Sequence, residues 1–367
     1  MKRLLITFVF VSALCPLICF AQLTNHENEV ISRLSARLKT DVEFDNLGGS
    51  ISAVITKDNK VIWANAFGYA DRDKKMLADT VTIYRIGSIT KTFTATLLML
   101  LVEENKISLD DEVEKYVPEV KGLIGYSDKH KITIRQLASH TSGLKREPDL
   151  GNANIGSIDQ WQQKVLECIP HTSFASKPGS DFLYSNIGFA ILGLTLERAA
   201  GEPYIKMVQQ RIIEPLYMKD TFFSVPDDKR SRLAEGLDNQ SGTVNTRVPF
   251  REHSGRGYRV PNGALYSTPT DLAKFVTSFI VQPTLLSKAS IKKMEDIPYV
   301  SKQYGLGLTV HSGMNRNTIG HDGSTAGYTS QFIINLDSKY AIILMRNYNQ
   351  GSTDLNKMAY DVIRDLF

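Results

Sequence analysis

The chain has 367 residues, 42% hydrophobic and 22% charged, an ordinary globular composition that excludes disorder as the starting expectation and allows one large domain or two small ones. Its formal net charge of +4 suggests no nucleic-acid partner.

Lys2 and Arg3 precede an apolar run over residues 4–15, then Pro16 and a short segment ending at Ala21. That order of charge, apolar core and small residue predicts a secretory signal peptide over residues 1–21, hence a periplasmic or secreted protein that contacts a membrane only if the leader stays uncleaved. Neither Cys15 nor Cys19 follows a small residue, which disfavours lipoprotein processing. Losing the leader removes Lys2 and Arg3, lowers the charge to +2 and leaves Cys168 as the single thiol. A lone thiol closes no internal disulfide, so the core must hold the fold, and Cys168, inside an apolar-periodic run, reads as packing.

Residues 25–40 place Val30, Ile31, Leu34 and Leu38 at helical spacing. Residues 50–56 and 60–68 flank a turn at Lys57-Asp58-Asn59 and predict a hairpin. Residues 329–335 and 340–347 predict a second, and residues 353–366 a last helix capped by Ser352 or Thr353. Between these ends the segments 92–104, 134–139, 158–168, 186–200, 204–213 and 270–279 read as helices, with few strand signals. The expected fold is α+β: an antiparallel sheet built from both termini, about 22–85 and 300–367, flanked by helices, with a mostly helical inserted part over about 86–299. The seam between the two parts is the place to look for a pocket.

Ser88-Ile89-Thr90-Lys91 opens one of the helices. Residues three apart share a helix face, so the Lys91 amine would lie near the Ser88 hydroxyl, and the helix start would favour negative charge there. Ser142 with Lys145 and Ser290 with Lys293 match the same formula, but in a turn and in a charged segment. Tyr184-Ser185-Asn186 offers a phenol able to relay a proton and an amide able to bind a carbonyl or the lysine. Taken as local structure alone, it is also a loop tyrosine with a capping asparagine. His321-Asp322-Gly323-Ser324 stands before the strand at 329–335, with glycines that would let backbone amides approach a substrate.

In order and content these pieces resemble the serine beta-lactamase and penicillin-recognising superfamily, in the branch of class C beta-lactamases, D-alanyl-D-alanine carboxypeptidases and related esterases. The resemblance runs over nearly the whole mature chain. It takes in Tyr84-Arg85-Ile86-Gly87 before Ser88, Gln136-Leu137-Ala138-Ser139-His140-Thr141-Ser142-Gly143-Leu144, Lys177-Pro178-Gly179 before Tyr184, Tyr266-Ser267-Thr268-Pro269-Thr270-Asp271-Leu272-Ala273, and the segment 320–328. It implies Ser88 as acylated nucleophile, Lys91 as base or activating charge, and Tyr184 as partner base. It also implies Asn186 as a substrate and lysine contact, and the amides of Ser88 and Ser324 as the oxyanion hole, with Gly323 and His321 at the substrate. No cofactor, metal or nucleic acid is implied; the partner is a small-molecule or peptide substrate.

One departure matters: class C enzymes usually carry Lys-Thr-Gly where this chain has His321-Asp322-Gly323. A histidine is mostly neutral at pH 7 and would offer a substrate carboxylate a hydrogen-bond donor with fractional charge. The expected function is a serine hydrolase acting through an acyl-enzyme on D-alanyl peptides, beta-lactams or related acyl substrates, with D-amino-acid peptides and small acyl esters favoured over cephalosporins. The alternatives are a carboxylesterase on the same fold and a non-catalytic penicillin- or peptide-sensing module. Neither His-Glu-x-x-His nor Gly-x-Ser-x-Gly occurs, so zinc hydrolases and alpha/beta-hydrolases are disfavoured.

Overall fold

The computed structural model describes residues 23–280, 285–312 and 317–367; the expected leader, with Cys15 and Cys19, lies outside them. Helix α1 (Asn25–Asp45) starts where Thr24 accepts from the Glu27 amide at 3.1 Å and the Glu27 carboxylate accepts from the Thr24 amide at 2.7 Å, a reciprocal cap. Val30, Ile31, Leu34 and Leu38 form its buried stripe, as their spacing predicts, and the helix runs past residue 40 to a left-handed Asn46. Strands β1 (Ser50–Lys57) and β2 (Lys60–Asp71) make the expected hairpin around Asp58, at φ 54°. After β3 (Met76–Leu77) and β4 (Tyr84–Arg85) comes α2 (Thr90–Glu103).

Helices then dominate: α3 (Ile134–Ala138), α4 (Trp161–Cys168), α5 (Asn186–Ala200), α6 (Tyr204–Val208), α7 (Arg247–Glu252) and α8 (Val260–Gly263). Strand β5 (Tyr266–Ser267) pairs with β4, and α9 (Pro269–Thr277) and α10 (Lys288–Glu295) follow. The chain returns through β6 (Thr309–His311), β7 (Thr318–Thr325), β8 (Tyr328–Asn335) and β9 (Tyr340–Arg346) to α11 (Leu355–Leu366). Asp354, not Ser352 or Thr353, caps that last helix, its carboxylate accepting from the Lys357 amide at 3.0 Å.

The large sheet is antiparallel, in the order β3-β2-β1-β9-β8-β7-β6. The two ends of the chain meet at β1 and β9, where Ile55 lies beside Ile342 and Ala53 beside Leu344. Successive residues point to opposite faces. Ala53, Ile55, Ile342 and Leu344 therefore pack with α1 and α11, whereas Val54, Ile343 and Met345 join the core of the helical part. With both faces covered, every residue of β9 is buried. This is the α+β architecture expected, a sheet from both termini enclosing a helical insertion.

Helix α2 is the axis of the insertion. Phe93 stacks on Phe275 of α9 at 3.8 Å between ring centres, and Leu97, Leu98 and Leu101 have no exposed surface; burying each such leucine contributes about 1.5–3 kcal/mol. Cys168 is fully buried on α4 and burial pushes its thiol up to about 12, an inert packing residue. Strand β7 is an element that the sequence does not announce: the segment expected to precede the strand at 329–335 is itself a strand. Gly320 and Gly323 weaken its strand signal, and the full-length pairing with β8, from Thr318 opposite Asn335 to Thr325 opposite Tyr328, is what makes it a strand.

Candidate active site

Strand β4 delivers the chain to a tight 3-10 turn, Gly87–Ile89, that runs straight into α2. Ser88 thus sits just before the α-helix rather than in its first turn. Gly87 is left-handed at φ 49°, and a Cβ there would stand 2.9 Å from the Ser324 amide nitrogen. A Cβ at Gly323 would collide with the Ile86 carbonyl oxygen. The absence of both side chains lets β7 lie against the turn, and the Ser330 hydroxyl ties β8 to the same Ile86 carbonyl at 2.9 Å. The Ser324 amide is thereby held close to the turn that carries Ser88.

Ser88 is half-buried, while Lys91 has no exposed surface. The Lys91 amine lies 3.1 Å from Ser88 Oγ and 2.9 Å from the carbonyl oxygen of Asn262 on α8. Burial, reinforced by the positive charge of Arg146, holds its pKa well below the ordinary lysine range. Tyr184 reaches Ser88 with its hydroxyl and lays its ring 4.9 Å from the Lys91 nitrogen. Burial raises the phenol's pKa far enough to keep it protonated, the hydrogen bond to Ser88 offsetting this only in part.

The Tyr184 segment is fixed from behind. Ser185 caps α5 by accepting from the Gly188 amide at 3.0 Å and donates to the Lys145 carbonyl at 2.8 Å. Its amide donates to His140 Nδ1 at 3.0 Å, which places the His140 proton on Nε2. The His140 ring lies 4.1 Å from that of Tyr184. Asn186 comes to the site, but its amide nitrogen donates to Glu147 at 2.6 Å rather than meeting Lys91, the contact expected from the sequence. Glu147 also accepts from the Tyr258 hydroxyl and pairs with Arg259 at 3.1 Å.

His321 requires a correction. Its ring is 1% exposed and both nitrogens are engaged within the protein. The Asp322 carbonyl, 2.6 Å from Nδ1, can only accept, so Nδ1 carries the proton and Nε2 accepts from the Tyr304 hydroxyl at 2.8 Å. Burial lowers the imidazole pKa more than nearby Asp322 raises it. This neutral ring has no donor left for a substrate carboxylate. Alternation along β7 puts Asp322 and Ser324 on its exposed side and His321 and Gly323 on its buried side. Tyr304 also lines an open groove of about 740 Å³ with Phe182, Leu183, Val300 and Gln303.

Ser142 and Ser290, which share the Ser-x-x-Lys formula, are buried elsewhere, in a turn and in α10. Sequence reasoning missed Glu147, Asn262, Tyr304 and the link from His140 to Tyr184. His140 and Glu147 flank the Thr141-Ser142-Gly143-Leu144 motif, the one local signal that could have drawn attention to them.

The Beta-lactamase family model matches residues 43–365. Protein flp of Staphylococcus aureus is 25% identical over 335 residues, covering 89% of this chain and 64% of that protein; the chain thus spans less than two thirds of that relative. The D-stereospecific amidohydrolase from Streptomyces superposes with a TM-score of 0.71 at 26% identity, over 90% of this chain and 97% of that one. The beta-lactamase/D-alanine carboxypeptidase of Pseudomonas syringae gives 0.75 over 92% and 98% at 18% identity, a likeness of fold alone. Because the family match runs from α1 through to α11 and takes in Ser88, Tyr184 and His321 alike, the chain belongs to the beta-lactamase family.

Proposed function

We propose that the protein hydrolyses acyl substrates through an acyl-enzyme on Ser88. The observation that carries this reading is Lys91, whose amine is fully buried, depressed in pKa and 3.1 Å from Ser88 Oγ. Burial favours the neutral form of such an amine, which can take a proton. Ser88 Oγ attacks the carbonyl carbon as its proton passes to Lys91 Nζ. The amides of Ser88 and Ser324 meet the charge on the carbonyl oxygen, each such donor contributing about 3 kcal/mol in the transition state. The tetrahedral centre collapses, the bond to the leaving group breaks, and that group takes the proton from Lys91 through the Tyr184 phenol. Water then attacks the acyl-enzyme by the same route, releasing the acid and Ser88. Tyr184 acts as a relay rather than a standing base, because its raised pKa keeps it a phenol.

D-amino-acid amides and peptides or small acyl esters fit this site better than cephalosporins. The Streptomyces neighbour is named a D-stereospecific amidohydrolase, and β7 offers a neutral, internally bonded His321 in place of a lysine cation. Intact mass spectrometry after exposure to a fluorophosphonate or a penicillin, followed by peptide mapping, tests the mechanism: the adduct is expected on Ser88. An adduct on Ser142 or Ser290 overturns the assignment. Comparison of kcat/KM for a D-alanyl-D-alanine peptide, a short p-nitrophenyl ester and a cephalosporin chromogen tests the substrate class, and cephalosporin turnover far above the other two rejects it.

A further inference from the structure

If His321 is closed to substrate, another group near Ser88 must supply any positive charge. Arg146 is placed to do so. Its main-chain carbonyl accepts from the amides of Asn186 at 2.9 Å and Ile187 at 3.4 Å, and the preceding Lys145 carbonyl is held by Ser185, so its backbone is pinned to the start of α5. From there the guanidinium lies 4.8 Å from the ring of Tyr184, whose hydroxyl bonds Ser88. The Arg146 side chain is nevertheless 63% exposed. Its nearest ion pair among the described residues is with Glu147 at 3.9 Å, too long for a direct hydrogen bond. Glu147 is already occupied by Asn186, Tyr258 and Arg259. The guanidinium therefore lies over the tyrosine ring yet stays largely exposed, with N–H groups suited to two parallel bonds to a carboxylate.

We infer that Arg146 is a specificity-determining residue that binds a carboxylate on the leaving-group side of the substrate. The side follows from Tyr184: the phenol hands its proton to the leaving group, so a cation 4.8 Å from that ring meets what departs rather than what is acylated. The preferred substrates are then esters or amides whose leaving alcohol or amine bears a carboxylate close to the scissile bond, and the cation that reads it stands on the loop before α5 instead of on β7.

The inference rests on the acyl-enzyme reading, and one pair of substrates separates the two. 3-Carboxyphenyl acetate and 3-carbamoylphenyl acetate share the acyl group and differ chiefly in the charge of the phenol that leaves. Acetylation of Ser88 by the neutral ester, followed by mass spectrometry, tests the acyl-enzyme reading without calling on Arg146; if Ser88 stays unmodified, that reading fails and the inference falls with it. The ratio of kcat/KM for the anionic to the neutral ester tests Arg146. It is expected to fall about tenfold or more in Arg146→Ala, the scale of a lost charged hydrogen bond, to be partly kept in Arg146→Lys, and to fall furthest in Arg146→Glu. Arg146 also acts electrostatically on Lys91 and Tyr184, and a role confined to that would slow both esters alike. A ratio that stays within about threefold of the parent in the alanine and glutamate variants overturns the inference while leaving Ser88 as nucleophile.

Discussion

Burying the Lys91 amine beside Ser88 has two consequences of opposite sign. It favours the neutral amine, and it costs stability, because an unfolded lysine is free to be protonated. The folded pKa lies below the unfolded one, so between the two the unfolded state binds more protons and stability rises with pH across that window. In urea unfolding, the parent is expected to gain more stability between about pH 7 and about pH 9.5 than Lys91→Met, which has no such proton to release. The same variant should lose kcat/KM by roughly 10²–10⁴, the range for removing a general base. Tyr184→Phe should lose a similar factor, and the double variant much less than the product of the two, since they act on one proton. Near-normal turnover in Lys91→Met, or equal pH slopes in parent and variant, would count against this account. The nearness of Ser88 and Lys91 was legible because it rests on residue type and near-neighbour spacing, whereas Tyr184 as their partner entered only through the family resemblance. The state of His321 was not, since it is set by Tyr304 and by the carbonyl of Asp322, neither of which its sequence neighbourhood announces.

At the scale of elements, the site depends on one carboxylate that no motif contains. Glu252, at the end of α7, pairs with Arg85 of β4 at 2.6 Å and Arg256 at 3.3 Å and accepts from Thr325 of β7 at 3.1 Å. Arg256 in turn donates to the Gly263 carbonyl, next to the Asn262 carbonyl that holds Lys91. Glu252 therefore joins the strand before Ser88, the strand carrying Ser324 and the helix behind Lys91. Burial would raise its pKa, but Arg256 and Arg85 outweigh it and keep the carboxyl below the usual range. Glu252→Gln leaves two buried guanidinium groups without their counter-ion and is expected to destabilise the fold by about 3–5 kcal/mol in urea titration. A loss under about 1 kcal/mol would mean that the three elements hold their places without it. The elements themselves were unequally legible: α5 was read at its observed bounds from periodicity, though Ser185 and not Asn186 caps it, whereas β7 hid behind glycines whose use is close approach to the Ser88 turn.

Across the whole molecule, buried histidines make acid the vulnerable direction. Burial holds His140 well under the ordinary imidazole value, holds His321 below it against the pull of Asp322, and lowers His253 to about 3. All three are neutral when folded and take up protons on unfolding once the pH drops below the unfolded value near ~6.5. Each then removes about 1.4 kcal/mol of stability per pH unit, so the three together give a slope of about 4 kcal/mol per unit until the folded groups themselves protonate. Urea unfolding at about pH 7.5, 6 and 5 should show a steepening loss, and a flat profile over that range would contradict the buried, neutral assignment of these rings.

The sequence by itself determined what rests on periodicity and residue chemistry: an α+β fold with its sheet drawn from both chain ends, a helical insertion, and a serine with a lysine one helical turn on. Those signals are local and survive without a partner. Tertiary structure alone decided which groups are exposed and which are neutral. It closed His321 against Tyr304, turned Asn186 to Glu147, left Arg146 open over Tyr184 and strung Glu252 between three elements. Each of these depends on side chains far apart in the chain meeting in a water-poor interior, where protonation and hydrogen bonding follow from the neighbours that packing supplies.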